Sequence, residues 1–99
     1  MELGQTVMTR GIAEAMQMSF YFKIFVIDSL KRYEDEDWGE MCKEDWREND
    51  NALAEGRRIF ASYTLPETVW LQAPTKEEKI WIITEGDRSY TTILFPEEY

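Results

Sequence analysis

The side chains of this sequence that could do chemistry are mainly carboxylates, and they are concentrated in one segment. Residues 34–50, EDEDWGEMCKEDWREND, contain nine carboxylates and two basic side chains. Clustered carboxylates can bind a cation, act as the acid and base of a hydrolase, or imitate a phosphate backbone towards a basic protein. Each of these uses requires a different placement, so the spacing discriminates between them.

The spacing does not fit a calcium-binding EF-hand loop. Such a loop needs oxygen ligands at positions 1, 3 and 5, glycine at position 6 and glutamate at position 12. With Asp35 at the first position, Asp37 falls at the third, but Gly39 and Glu40 occupy the fifth and sixth. We therefore predict no metal site.

The chain also lacks the residues on which most enzymes depend. It has no histidine, which is the usual general base at neutral pH, and no glycine-rich phosphate loop, GxSxG elbow or Cys–His pair. Its one cysteine, Cys42, permits no intrachain disulfide and suits a reducing compartment. We predict that the protein is not an enzyme and uses no cofactor. The alternative is a small metal-dependent hydrolase or nuclease that uses the Asp/Glu cluster.

Net charge limits the possible partners. Twenty acidic and 11 basic residues give a formal net charge of -9, which repels nucleic acids and anionic membranes and favours basic partners. The longest apolar-rich stretch, residues 20–27, is interrupted by Lys23 and is too short to span a bilayer. The first residues do not resemble a signal peptide. We predict a cytoplasmic protein with no direct contact to nucleic acid or membrane.

Two segments are better suited to binding a protein. In the acidic segment, carboxylates at helical spacing could steer and hold a basic partner, unless the segment is only a solvated helix whose tryptophans pack into the core. Its candidate contact residues are Asp37, Trp38, Glu40, Glu44, Asp45 and Glu48.

The second segment is the apolar group at residues 69–71, in a connection that contains two prolines. Trp70 is its candidate contact residue, and an edge strand or a lid over a sheet is the competing interpretation. Arg88 is a further candidate. It lies in the stretch TEGDRSYTT at 84–92, which could serve turn formation or partner contact.

The second half of the chain has the pattern of strands. Residues 79–84 and 89–95 are rich in β-branched and aromatic residues and flank a short loop with glycine, which predicts a hairpin. Residues 57–64 alternate at period two, and residues 5–10 could form a short strand.

The first half favours helices. Residues 12–17 predict a brief helical turn, and residues 43–55 a helix that Gly56 ends. Residues 19–33 have the composition of a strand but helical spacing, with Ser19 as N-cap and two basic residues in the last turn. Because Phe20, Ile24 and Ile27 lie opposite the other apolar residues of that helix, we expect it to be buried on two faces. The residues of the first face are Phe22, Phe25, Val26, Ser29, Leu30 and Tyr33.

These elements predict an α+β fold in a single domain, residues 1–99. We expect an antiparallel sheet of three or four strands with two helices packed on one face.

Three motifs resemble a group of small uncharacterised proteins of plasmids, conjugative elements and phages of gut bacteria. They are MTRGI at 8–12, FVIDSLKRY at 25–33 followed by DWG at 37–39, and KIWIITEGDRSYTTILFPEEY at 79–99. Members are often labelled "type I restriction endonuclease subunit M" or "plasmid-related protein". The connection at 66–78 is longer than is usual in that group. The chain lacks the glycine-rich cofactor turn and NPP-type motif of a DNA methyltransferase, so the resemblance implies a genomic setting and not an activity.

Charge and resemblance together predict a non-enzymatic accessory protein of a mobile genetic element that acts by protein–protein contact. The specific hypothesis is inhibition of a host nucleic-acid-binding defence system, of restriction or CRISPR type, through the acidic surface. A structural homodimer, paired through the sheet edge or the Trp70 connection, is a further alternative.

Overall fold

The computed structural model describes residues 1–73 and 75–99, and its elements alternate between a sheet and a helical layer. The strands are β1 (Gln5–Met8), β2 (Ile59–Thr64), β3 (Lys79–Thr84) and β4 (Tyr90–Leu94). The helices are α1 (Arg10–Met18), α2 (Phe20–Glu34), α3 (Lys43–Glu55) and the single turn α4 (Glu67–Trp70), and a 3-10 turn covers Pro96–Glu98.

The sheet has the strand order β1-β4-β3-β2 and is mixed. The predicted hairpin is present, since β3 pairs antiparallel with β4, and β2 extends it on the other side. β1, however, runs parallel to β4. The α+β class is therefore confirmed, whereas the sheet is not antiparallel throughout. The direction of a four-residue strand depends on which distant strand it meets, and the local sequence pattern does not contain that information.

Alternate residues of the strands face the helices. The pairing places Ile82 between Ala61 and Ile93, and all three are almost fully buried. They share one core cluster with Ile12 of α1 and Phe22 of α2. Ala52 of α3 belongs to the same cluster, so three helices contribute to it where two were predicted.

Helix α2 confirms the helical interpretation of residues 19–33. The Ser19 hydroxyl accepts a hydrogen bond from the Phe22 amide at 3.2 Å, which caps the first turn. The predicted first face is buried or half-buried along its whole length. The expectation of a second buried face is wrong, because Phe20, Ile24 and Ile27 are 72, 42 and 37% exposed. The helices form one layer on the sheet, and this side of α2 is the outer surface of that layer.

The remaining elements follow the local sequence signals in part. Helix α3 has the predicted bounds, and Gly56 ends it in a left-handed conformation with φ 70°. α1 is longer than the predicted turn. Residues 67–70 form a helical turn and not an edge strand, with Val69 packed against the core. No helix of residues 1–73 and 75–99 is long and apolar enough to cross a membrane.

A chain of hydroxyl groups crosses the core. Thr91 Oγ1 donates to the Leu3 carbonyl at 2.7 Å, so Thr84 Oγ1 donates to Thr91 at 2.8 Å and the Tyr33 hydroxyl donates to Thr84 at 2.6 Å. Burial raises the pKa of Tyr33 to about 12. Thr84 and Thr91 of the TEGDRSYTT stretch are thus buried hydrogen-bonding residues.

Candidate protein-binding surface

The acidic segment begins as a loop, residues 35–42, that runs along the outer edge of β2. Within it, the Glu40 amide donates to the Ser62 carbonyl at 2.8 Å, and the Ser62 amide donates to the Trp38 carbonyl at 3.3 Å. Gly39 forms an isolated bridge with Ser62 and has φ 83°. A β-carbon there would lie 2.0 Å from the Ser62 carbonyl oxygen, so the DWG turn requires glycine.

Side chains complete the cover of this edge. The Asn49 amide of α3 donates to the Phe60 carbonyl at 2.7 Å and accepts from the Phe60 amide at 3.2 Å. The Thr64 amide donates to the Glu40 carboxylate at 3.4 Å. In an edge strand, every second residue points its backbone N–H and C=O groups away from the sheet. Outward groups of Phe60, Ser62 and Thr64 form hydrogen bonds to the loop and to α3 of the same chain. A second copy cannot pair at these positions unless this cover is displaced.

Trp38 is an anchor of this loop and not an exposed contact. Its side chain is fully buried, its ring lies edge-on to Tyr33 with 5.4 Å between centroids, and Nε1 donates to Asp50 at 2.9 Å. The prediction that Trp38 contacts a partner therefore requires correction. The partners that bury it, Tyr33 and Asp50, come from helices α2 and α3 on either side of the loop.

Two of the candidate carboxylates share one cation. Arg32 donates from Nε and Nη2 to Asp37 at 2.8 and 3.2 Å, and Nη2 reaches Glu40 at 3.4 Å. The hydrogen bond from Arg32 lowers the pKa of Asp37 and outweighs burial, which acts in the opposite direction. Asp37 and Glu40 are therefore partly neutralised.

The other three candidates lie on α3 and are exposed. Glu44 and Asp45 occupy its first turn, where negative charge also suits the helix dipole. Glu48 lies one turn after Glu44, and the only cation that approaches it among the described ion pairs is Arg57, at 3.7 Å. With the exposed carboxylates of residues 34–36 and with Glu40, these side chains form what we call the acidic face.

Trp70 lies beside the acidic face and not apart from it. It is 39% exposed and lines a cleft of about 220 Å³ with Thr64, Leu65, Glu67 and Glu78. Thr64 connects the cleft to the acidic face, because its backbone amide donates a hydrogen bond to the Glu40 carboxylate. The fold thus brings together the two segments that the sequence analysis treated separately.

Arg88, in contrast, is used inside the protein. Its guanidinium donates to the carbonyls of Arg57 at 2.8 Å and of Glu85 and Ala52 at 3.1 Å. These bonds fasten the β3–β4 loop to the C-terminal end of α3. The prediction of Arg88 as a contact residue is corrected accordingly, because its donors are engaged by backbone carbonyls of this chain, two of which lie 31 and 36 residues away in sequence.

A site that no sequence pattern indicated lies where residues 9–11 meet residues 95–98. The Glu98 carboxylate accepts hydrogen bonds from the Thr9 hydroxyl, from the Gly11 amide at 3.0 Å and from the Phe95 amide at 3.1 Å. Burial acts to raise the pKa of Glu98, but these hydrogen bonds outweigh it and hold that pKa below its ordinary value. A β-carbon at Gly11 would lie 2.7 Å from Glu98 Oε2. The TRG motif near the start and the glutamate near the end therefore form one helix cap.

A cleft of about 660 Å³ adjoins this cap. Its lining includes Gly11, Lys76 and three carboxylates, of Glu14, Glu77 and Glu97. Within residues 1–73 and 75–99, no group of three or more Asp, Glu or Cys side chains converges closely enough to hold a metal ion.

No family model, curated protein or solved structure matches this chain in the three comparisons made.

Proposed function

We propose that the protein is a non-enzymatic accessory factor of a mobile genetic element that binds a basic protein in the cytoplasm through its acidic face. The observation that carries this proposal is the adjacency of the acidic face and the Trp70 cleft. A net charge of -9 supports it, since long-range attraction accelerates the encounter with a basic partner. The resemblance to proteins of plasmids and phages supplies the genomic setting.

The Trp70 cleft gives this surface a place for a specific side chain. An indole ring attracts a cation above its face, and carboxylates bind guanidinium and ammonium groups by charge-assisted hydrogen bonds. Trp70, Glu67 and Glu78 line one cleft and combine both features. The proposed occupant is an arginine or lysine side chain of the partner, while α3 binds further basic residues.

Within this class, we favour a host nucleic-acid-binding defence protein of restriction or CRISPR type. Such a protein has a basic groove for a phosphate backbone. The exposed carboxylates of α3, presented on a rigid helix, would compete for that groove. Binding of this kind weakens as salt rises and is displaced by nucleic acid.

The test is affinity capture from a host lysate at low and high salt, followed by competition with duplex DNA. The acidic-face variant combines Glu44→Gln, Asp45→Asn and Glu48→Gln. Its control combines Glu2→Gln, Glu14→Gln and Glu97→Gln, which remove the same charge from exposed positions elsewhere. A second variant, Trp70→Ala, tests the cleft.

We expect a nucleic-acid-binding protein to be captured at low salt and released by DNA. The acidic-face variant should weaken this binding roughly tenfold or more, and the control less than about threefold. Two results contradict the proposal: no nucleic-acid-binding protein is captured at low salt, or the two triple variants weaken binding equally, which would make net charge the sole cause.

A further inference from the structure

The outer side of α2 carries a stripe of large apolar side chains that nothing in the described chain covers. Phe20, Ile24 and Ile27 follow one another at spacings of four and three residues, which aligns them along one face of a helix. Tyr21 flanks the stripe and Met18 precedes it. Their exposed fractions are 74% for Met18, 72% for Phe20, 56% for Tyr21, 42% for Ile24 and 37% for Ile27.

The exposed apolar area of this stripe is large enough to form the centre of a protein interface. An aromatic side chain has roughly 150–250 Å² of surface, so Phe20 and Tyr21 together expose roughly 200–300 Å², and Ile24 and Ile27 bring the stripe to several hundred Å². Apolar patches of roughly 300–600 Å² are the largest on typical monomers and often mark binding sites. Each partner buries roughly 800 Å² in a standard protein interface, so the stripe would form the apolar centre of such an interface and the neighbouring polar side chains of α2 its border.

The charges around the stripe indicate which partner it fits. Residues 18–33 contain Lys23, Lys31 and Arg32 against Asp28, whereas residues 34–50 carry nine acidic and two basic side chains. Arg32 is occupied by Asp37. A basic protein would meet two lysines here, and an anionic membrane would be repelled by the net charge of -9. A second copy carries the same net charge, but it brings to the contact only the apolar stripe and its few flanking charges, and salt screens the remaining repulsion between the two chains.

We propose that two copies of this protein associate through the outer face of α2. The interface is isologous, so that the stripe of each copy packs against the stripe of the other about a twofold axis. The positions of Phe20, Ile24, Ile27 and Lys31, spaced by four, three and four residues, are those by which paired helices interlock. The acidic face and the Trp70 cleft remain open, and each dimer presents two of each.

The first experiment measures the mass in solution. Light scattering and sedimentation are carried out at protein concentrations of about 1–200 μM, a range that covers the dissociation constants expected of a modest interface. We expect twice the monomer mass of 11.8 kDa. We also expect the dimer to persist or tighten in about 0.5 M salt, because salt screens the repulsion between two acidic chains but leaves apolar contacts intact. A protein that is monomeric at the highest concentration overturns the proposal.

The second experiment locates the interface with matched variants. Ile24 and Met8 are both 42% exposed, and Met8 lies on β1, outside the stripe. Ile24→Glu should raise the dimer dissociation constant roughly tenfold or more, and Met8→Glu should leave it nearly unchanged. Ile27→Lys, on the next turn, should repeat the effect of Ile24→Glu. Circular dichroism checks that each variant folds.

The outcomes separate this proposal from others. A dimer that survives both α2 variants, or that only Met8→Glu dissociates, places the interface elsewhere and overturns the proposal. Capture of a basic partner by a monomeric Ile24→Glu protein leaves the proposed function standing independently of the dimer.

Discussion

Three glycines of the described residues, Gly4, Gly39 and Gly56, adopt the left-handed conformation, and glycine is needed at Gly39 and Gly56 for different reasons. Gly39 has φ 83° and Gly56 has φ 70°. The Gly39 backbone lies against the Ser62 carbonyl, whereas a β-carbon at Gly56 would have no atom within 4 Å. Gly56 is needed only for its backbone conformation, and Gly39 is needed for both conformation and space.

This contrast predicts unequal costs for the same substitution. Gly39→Ala should lower the free energy of unfolding by roughly 2–4 kcal/mol, because left-handed strain adds to a clash with rigid backbone. Gly56→Ala should cost about 1–2 kcal/mol, from backbone strain only. Urea unfolding of both variants measures the difference. Equal costs would mean that the loop moves away from β2 without penalty.

Glu98 gives a second prediction at the scale of single residues. Its three hydrogen bonds favour the ionised form, so the pKa of the folded state lies below the ordinary value of 4.5. The stability it contributes is therefore present above that ordinary value and is lost as pH falls through the folded pKa. Glu98→Gln should cost about 1 kcal/mol at pH 7, similar to the loss of a helix cap.

The difference between Glu98→Gln and the wild type should shrink as pH falls below 4.5, which thermal unfolding across that range would reveal. Glu97→Gln changes the same charge one residue earlier and serves as the control, with an expected change within about 0.5 kcal/mol. A pH-independent difference for Glu98→Gln would show that the carboxylate charge is not what holds the first turn of α1.

Single residues also explain where prediction from sequence was incomplete. Trp38 and Arg88 were predicted to contact a partner, but their side chains bind Asp50 and the Ala52 carbonyl instead. Asp50 is 12 residues from Trp38 and Ala52 is 36 residues from Arg88, so no local sequence pattern indicates either contact. The cap formed by Glu98 was missed for the same reason, since it joins residues 87 positions apart. The motifs around these residues indicated a role for them, and the fold shows that their side chains form hydrogen bonds within the chain.

At the scale of elements, the buried polar side chain of Asn49 joins α3 to β2. Asn49 pairs with both backbone groups of Phe60, as a neighbouring strand would. Helix and strand are thereby joined through the sheet edge, in addition to their apolar contacts.

We predict that Asn49→Ala lowers the free energy of unfolding by roughly 2 kcal/mol, because it leaves the Phe60 amide and carbonyl without partners. Hydrogen exchange at the Phe60 amide should accelerate more than at Ile59, which pairs with β3. Asn51→Ala is the control, on the exposed side of the same helix, with a change within about 0.5 kcal/mol. If Phe60 exchange is unchanged, another group already protects that edge.

The elements were predicted well wherever the signal was local. In α2, the spacing of Phe22, Val26 and Tyr33 predicted both the helix and its buried face, because a repeat of 3.6 residues is written in consecutive positions. The opposite face was predicted incorrectly. An apolar side chain such as Phe20 shows that burial would be favourable, but not whether this chain supplies the partner.

At the scale of the whole molecule, three surfaces differ in chemistry. The acidic face and Trp70 cleft cover one edge of the sheet, the outer side of α2 is apolar, and the far side of the sheet carries Phe60, Trp81 and Tyr99. The Trp81 ring contacts the other two: it is tilted against Phe60, with 4.7 Å between centroids, and lies edge-to-face with Tyr99 at 5.8 Å. Composition predicted the negative charge of the molecule, but only the fold shows that this charge is separated from the apolar helix surface.

The parallel pairing of β1 with β4 has a consequence for synthesis on the ribosome. Gln5 lies opposite Tyr90, and the first turn of α1 is capped by Glu98. A nascent chain can form α2 and α3 soon after they emerge, but β1 stays unpaired until β4, which follows both helices in the sequence, has also emerged. Completion of the sheet therefore waits for the synthesis of β4, and a chain truncated before β4 would leave β1 without a strand to pair with.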